Sequence, residues 1–180
     1  PKKVKIIKAY RIQGRRFMDN RIKIIEGVMP VKEVLELAHK YDTTLTVYLT
    51  ALFIRAIYKE MPARSRRYPV VISVPVNLRA YFPYVTARNF FATINVKYDF
   101  AASGDKLEDI IKEVKECFNR ELTQKKLQEH LNKLSALEHN AFMRMVPLIL
   151  KDTVLRLANR LNDRQITAAL SNIGRIAVSP

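Results

Sequence analysis

The sequence predicts an α/β protein, more narrowly an α+β two-layer sandwich in which paired helices cover a mixed β-sheet. Three observations carry the prediction. Apolar residues alternate in some segments and recur at helical spacing in others. The segments follow the order β-β-α-α-β-β-α-α-β, and helices inserted in pairs between strands imply a mixed sheet with helices on one face or both. Hydrophobic residues make up 48 % of the 180 residues, enough for a core, while only 4 glycines speak against a glycine-rich all-β protein.

Val4 to Ile12 is rich in β-formers, mostly alternates, and stops at Gln13-Gly14. Asp19-Asn20 marks a turn. Arg21-Ile22-Lys23-Ile24-Ile25 then alternates as a second strand, ended by Gly27. Pro30 suits the first turn of a helix, and Val31, Val34, Leu35 and Ala38 follow at helical spacing. Asp42-Thr43-Thr44 breaks the chain and restarts it. Leu45, Leu49, Leu52, Phe53, Ala56 and Ile57 form the apolar face of a buried helix that runs to Met61 and stops at Pro62.

Val70 to Val76 is a near-continuous apolar run, as expected of a strand buried on both faces, and Phe90 to Tyr98 is its partner. Asp105 with Glu108 reads as an N-cap with its reciprocal acid. Residues 106–162 are helix-compatible apart from Pro147, which divides two helices. Gln165 to Ala177 is a last strand, interrupted by Ser171-Asn172-Ile173-Gly174. Without repeat, low-complexity segment or linker, residues 1–180 read as a single domain or one lobe of a larger protein.

The single cysteine, Cys117, falls in the series Leu107, Ile110, Ile111, Val114, Cys117, Phe118, one apolar helix face. It reads as a reduced core residue, which fits a cytoplasmic location. No apolar run approaches the ~20 residues that span a bilayer, and no apolar segment follows the charged N-terminus as in a secretory signal. Net charge is +15, from 32 basic and 17 acidic residues. Residues 1–24 hold Lys2, Lys3, Lys5, Lys8, Arg11, Arg15, Arg16, Arg21 and Lys23 against one acid, Asp19. Arg64, Arg66, Arg67, Arg79 and Arg88 form a second group. Such patches attract nucleic acid, anionic lipid or a phosphorylated cofactor. They serve equally for solubility, or to balance an acidic portion of the same protein.

Several chemistries lack their residues. His39, His130 and His139 lie in helical segments rich in Lys, Glu or Asn, read as solvated surface rather than as general bases. They lack metal-ligand spacing, and one cysteine makes no zinc site, so no metal is expected. There is no glycine-rich phosphate loop and no Gly-x-Ser-x-Gly elbow. What remains is a set of polar residues at strand ends: Asn77, Arg79, Arg88, Asn89, Asn95, Ser171 and Asn172. Amides and hydroxyls there suit hydrogen bonding to a ligand or oxyanion, and Arg79 suits a carboxylate. The same residues also suit turns and strand caps.

The segments Val74-Pro75-Val76-Asn77-Leu78-Arg79 and Asn89-Phe90-Phe91-Ala92-Thr93-Ile94-Asn95 resemble the second half of the chloramphenicol-acetyltransferase-like superfamily, which includes nonribosomal-peptide condensation domains. Thr43 to Ala51 resembles the start of the family's helix before that strand. Leu170-Ser171-Asn172-Ile173-Gly174-Arg175 resembles its Ser-Asn-x-Gly strand. The segments occur in family order between residues 20 and 176, and the chain looks most like the bacterial alcohol-acetyltransferase-type branch. The family's Asp-Phe-Gly-Trp-Gly loop is absent, and there is no Trp.

The resemblance implies two lobes around a cleft, with a thioester of coenzyme A or of a carrier protein as donor and an alcohol or amine as acceptor. It implies that this chain is the C-terminal lobe, truncated, partnered by an N-terminal lobe of the same protein carrying a His-His-x-x-x-Asp-Gly motif that this sequence lacks. Such a lobe is expected to be inactive alone and prone to form a homodimer. By resemblance Arg79 pairs with the motif's Asp, with Asn77 beside it. Ser171 and Asn172 support the oxyanion, and Asn89 and Asn95 line the substrate tunnel. Charge alone assigns Arg64, Arg66 and Arg67 to the phosphates of coenzyme A, with Arg88 beside the substrate. The competing readings are a basic nucleic-acid-binding module, for which no known motif is present, and a non-catalytic scaffold of the same fold.

Overall fold

Valines and isoleucines at alternate positions build the centre of the molecule. In the computed structural model, which describes residues 8–14, 18–19, 21–82, 90–138, 156 and 164–174, β1 (Val70–Asn77) lies between β2 (Phe91–Tyr98) and β3 (Ala168–Ala169). β2 runs antiparallel to β1, with Val70 opposite Tyr98 and Asn77 opposite Phe91. β3 is parallel to β1, so the sheet is mixed. Even-numbered residues Val70, Ile72, Val74, Ile94, Val96 and Tyr98 are buried in one core. The other face carries Thr93, Asn95 and Lys97, all exposed, beside half-buried Ser73 and Pro75.

Helices cover the even face: α1 (Val31–Lys40), α2 (Leu45–Glu60), short α3 (Phe100–Ser103), α4 (Leu107–Glu121) and α5 (Gln124–Glu138). α2 packs on β1 and on α4, and α4 packs on β2. Val47, Ala51, Ile54 and Ile57 of α2 and Ile110, Ile111, Val114, Cys117 and Phe118 of α4 are buried against the strands. Cys117 is thus the core residue its spacing predicts; burial pushes its thiol pKa up, against the lowering influence of Arg120. Leu78, Phe82, Ala92 and Leu127 form a second, smaller cluster where α5 meets β2.

The architecture is mixed α/β as expected, but several elements differ. Residues 8–14 and 21–30 form no strand. Residues 8–10 make only isolated backbone bonds, Ala9 N–H to the Arg164 carbonyl and Tyr10 N–H to the Pro69 carbonyl. The cap expected at Asp105 is displaced: α4 starts at Leu107 with Lys106 as its unbonded cap, and Glu108 and Asp109 meet the helix dipole instead. The helical stretch breaks at Leu122-Thr123, where the Thr123 hydroxyl donates to the Arg120 carbonyl at 3.4 Å. Pro147 lies outside the described residues.

Among the described residues β3 pairs over only two residues of the strand expected from Gln165 to Ala177, of which 175–177 lie outside the described residues. Thr167 N–H to the Val71 carbonyl and Leu170 N–H to the Ser73 carbonyl extend the ladder by one bond at each end. Pro75 stops it there, because on this side of β1 the next donor would be the N–H that proline lacks.

Candidate functional site

The C-terminal end of β1 gathers several of the polar residues. Asn77 leaves the sheet there, and its side-chain oxygen accepts the Arg79 N–H at 3.1 Å. That bond caps the single 3-10 turn Leu78–Ala80, which Leu78 anchors in the core. Asn77 is therefore a turn-former, and the turn presents Arg79 on the surface.

β3 runs toward the same end, and strand alternation sends its continuation to both faces. Leu170 packs on the helix-side core, Ser171 is exposed, and Asn172 reaches α2. The Asn172 Nδ2 donates to Thr46 Oγ1 at 2.9 Å, and its Oδ1 accepts the Gly174 N–H at 2.9 Å. The backbone donor fixes which side-chain atom faces Thr46. Gly174 holds φ at +77°, where a side chain is strained. On α2, the Thr44 hydroxyl caps the helix by accepting Val47 N–H at 3.4 Å, and the Thr50 hydroxyl donates to the Thr46 carbonyl at 2.7 Å.

Asn95 lies mid-strand, on the outer face of the sheet opposite Ser73. It lines a depression of about 430 Å3 with Thr93, Glu121, Lys126 and Glu129. Arg88 and Asn89 lie outside the described residues. Arg64, Arg66 and Arg67 sit before the start of β1, at the opposite end of the sheet. Eight residues of strand put about 25 Å between the two groups. The structure thus brings Asn77, Arg79, Ser171 and Asn172 to one end and does not bring the three arginines to them.

A cleft of about 540 Å3 opens on the other side of the α2 N-terminus, lined by His39, Asp42, Thr43, Thr44, Val47, Lys115, Phe118, Asn119 and Leu122. Asp42 closes α1 in a left-handed conformation, φ 47°, with its N–H on the His39 carbonyl and Thr43 N–H on the Ala38 carbonyl. Lys115 donates to the Asp42 backbone carbonyl and, at 2.8 Å, to its carboxylate. That contact holds the Asp42 carboxyl below the usual carboxylate range. The Thr43 hydroxyl oxygen is buried without a partner among the described residues. Sequence reasoning missed this cleft: Asp42 and Lys115 stand 73 residues apart, with no local signal to join them.

At the sheet end the donors are amide, hydroxyl and guanidinium groups. They can hold an anion or orient a carbonyl, but they cannot take a proton at neutral pH. His39, on the last turn of α1, is exposed. Among the described residues no group of acids, histidines and cysteine is placed to hold a metal ion, and no helix is long and apolar enough to cross a membrane. No family model matches the chain, and no curated protein or solved structure matches it.

Proposed function

We propose that this chain is the second lobe of a coenzyme A-dependent acyltransferase, acting on an alcohol or amine with a partner lobe that supplies the general base. The observation that carries this reading is the Asn172–Thr46 hydrogen bond. It joins the Ser-Asn-x-Gly segment to the Thr-rich helix start, two of the three segments that resemble the family. The third ends at Arg79, at the same end of the sheet.

In the assembled enzyme the base of the partner lobe removes the proton of the acceptor hydroxyl or amine. The oxygen or nitrogen attacks the thioester carbonyl. As the tetrahedral intermediate collapses and the C–S bond breaks, the protonated base returns its proton to the leaving sulfur, releasing coenzyme A as its thiol. On this reading Ser171 donates to the oxyanion. Asn172 spends both ends of its amide on Thr46 and Gly174, so its role is to position that segment. Arg79 offers a guanidinium to a carboxylate of the partner lobe. Asn95 lines the acceptor side. Ile22, Ile24, Ile25, Val28 and Met29 are 62–100 % exposed along the segment before α1. Aliphatic surface of that extent favours cover by another lobe.

The test is thiol release from acetyl coenzyme A with a panel of alcohols and amines, using the protein of the entire open reading frame. Activity that falls by about a hundredfold or more in Arg79→Ala, with fold retained, supports the reading. Activity absent with every acceptor leaves a scaffold without chemistry.

A further inference from the structure

At the end of the sheet remote from that site, the cations are held by aromatic rings rather than by carboxylates. The Arg66 guanidinium lies 4.7 Å from the Tyr58 ring centroid, and Tyr58 stacks on Phe100 at 3.8 Å. Phe100 in turn meets Tyr98 edge-on at 4.7 Å, so Arg66 rests on a ladder rooted in the core. The Arg67 guanidinium lies 5.0 Å from the Tyr68 centroid and donates to the Tyr68 hydroxyl at 3.1 Å. Lys8 Nζ lies 5.4 Å from the same centroid. Its position is fixed by the backbone bonds of Ala9 to Arg164 and Tyr10 to Pro69, and exposed Arg164 brings another cation to the same end.

Among the described residues none of Lys8, Arg66, Arg67 and Arg164 forms an ion pair. Lys8 and Arg67 share the Tyr68 ring, so two like charges meet on one side chain with no ion pair to a carboxylate among the described residues. Stacking uses the flat face of a guanidinium and leaves N–H groups at its edge free to donate. Cations held on rings and unneutralised by any described acid fit an oxygen-rich anion of high charge density.

We propose that Lys8, Arg66 and Arg67, fixed on the Tyr58 and Tyr68 rings, form a binding site for a phosphate-bearing anion. The site stands independently of the acyltransferase reading, because it lies at the other end of the sheet and uses none of the same residues. The phosphate has two sources with the same chemistry, a nucleotide-bearing cofactor or the backbone of a single-stranded nucleic acid.

The experiment titrates the whole chain with inorganic pyrophosphate by calorimetry at ~0.1 M salt. The Arg66→Gln/Arg67→Gln variant should bind about tenfold more weakly or worse. Lys32→Gln/Lys40→Gln removes the same charge from exposed positions on α1 and should bind within about twofold of the parent. Tyr68→Leu keeps the net charge and removes the ring shared by Lys8 and Arg67, so it should lose affinity several-fold. Equal losses in the two double variants, or no loss in Arg66→Gln/Arg67→Gln, would overturn the proposal. Full affinity in a folded Tyr68→Leu would overturn it too. A nucleoside bisphosphate and an oligothymidylate are then compared at matched phosphate concentration. Tighter binding of the first names a small cofactor as the source, and of the second a nucleic acid strand.

Discussion

The contact between Asn172 and Thr46 should be measurable as a coupling energy. Asn172→Ala removes two hydrogen bonds, one to Thr46 Oγ1 and one from Gly174 N–H. Neutral bonds at a surface are worth ~0.5–1.5 kcal/mol each, so the variant should lose about 1–3 kcal/mol. Thr46→Val keeps the side-chain shape and removes only the acceptor, at a cost of ~0.5–1 kcal/mol. The bond to Gly174 is broken by the Asn172 change whether or not Thr46 is present, so it cancels from the double-mutant cycle. The remaining coupling should be ~0.5–1 kcal/mol. Urea unfolding of the four proteins gives the energies, with an unchanged m-value as the control for two-state behaviour. Amide exchange adds an independent readout. The Gly174 N–H should lose protection in Asn172→Ala and keep it in Thr46→Val. Coupling below about 0.3 kcal/mol, the ordinary error of additivity, would refute the claim that this bond ties the last strand to α2.

Three further predictions concern the rest of the molecule. Gly104 sits at φ 78°, ψ −169°, a region open almost only to glycine, although a methyl group there would meet nothing within 4 Å. Gly104→Ala should therefore destabilise by about 1–3 kcal/mol through backbone strain alone, read as a lowered urea midpoint. Burial pushes the Tyr98 phenol up to about 12 from 10.0, with the carboxylates of Glu113, Asp109 and Asp105 adding to the shift. Folding thus favours the neutral phenol; the stability it contributes is complete below pH 10.0 and lost as pH rises toward about 12. Tyr98→Phe should flatten that alkaline loss while giving up the hydroxyl's bonds to the Ser103 and Gly104 carbonyls. The Asp42 carboxyl, held low by Lys115, should titrate by NMR below the usual carboxylate range, and Lys115→Met should return it upward. Stability linked to Asp42 is present above its unfolded pKa and fades on acidification, so Lys115→Met should lessen the acid sensitivity.

Long apolar patterns were legible in the sequence. The Leu45–Ile57 series became α2, the Leu107–Phe118 series became the buried face of α4, and Val70–Val76 became the central strand. Burial held for the α4 series, but α2 turns another face inward: Val47, Tyr48, Thr50, Ala51, Ile54 and Ile57 are buried, while Leu45, Leu49, Leu52 and Phe53 flank them half-buried and Ala56 is exposed. Alternation in Arg21–Ile25 records which side chains share a side but names no neighbouring strand; among the described residues none pairs with it. The break at Thr123 and the shifted start of α4 turn on hydroxyl and cap geometry worth a fraction of a helix's stability, so side-chain pattern does not set them. At the site, Asn77, Arg79, Ser171 and Asn172 were legible as strand-end residues, but their division of labour was not. Asn77 and Asn172 serve the backbone, and only the bonds to Arg79, Thr46 and Gly174 reveal it. The separation of Arg66 and Arg67 from these residues follows from the direction of β1, which composition does not contain.

The central claim is that a partner lobe with the general base completes this one. The most direct test is to read the gene in frame upstream of the Pro1 codon. The account predicts a His-His-x-x-x-Asp-Gly segment within roughly one domain length, ~100–200 residues. A start codon immediately before Pro1 would contradict it.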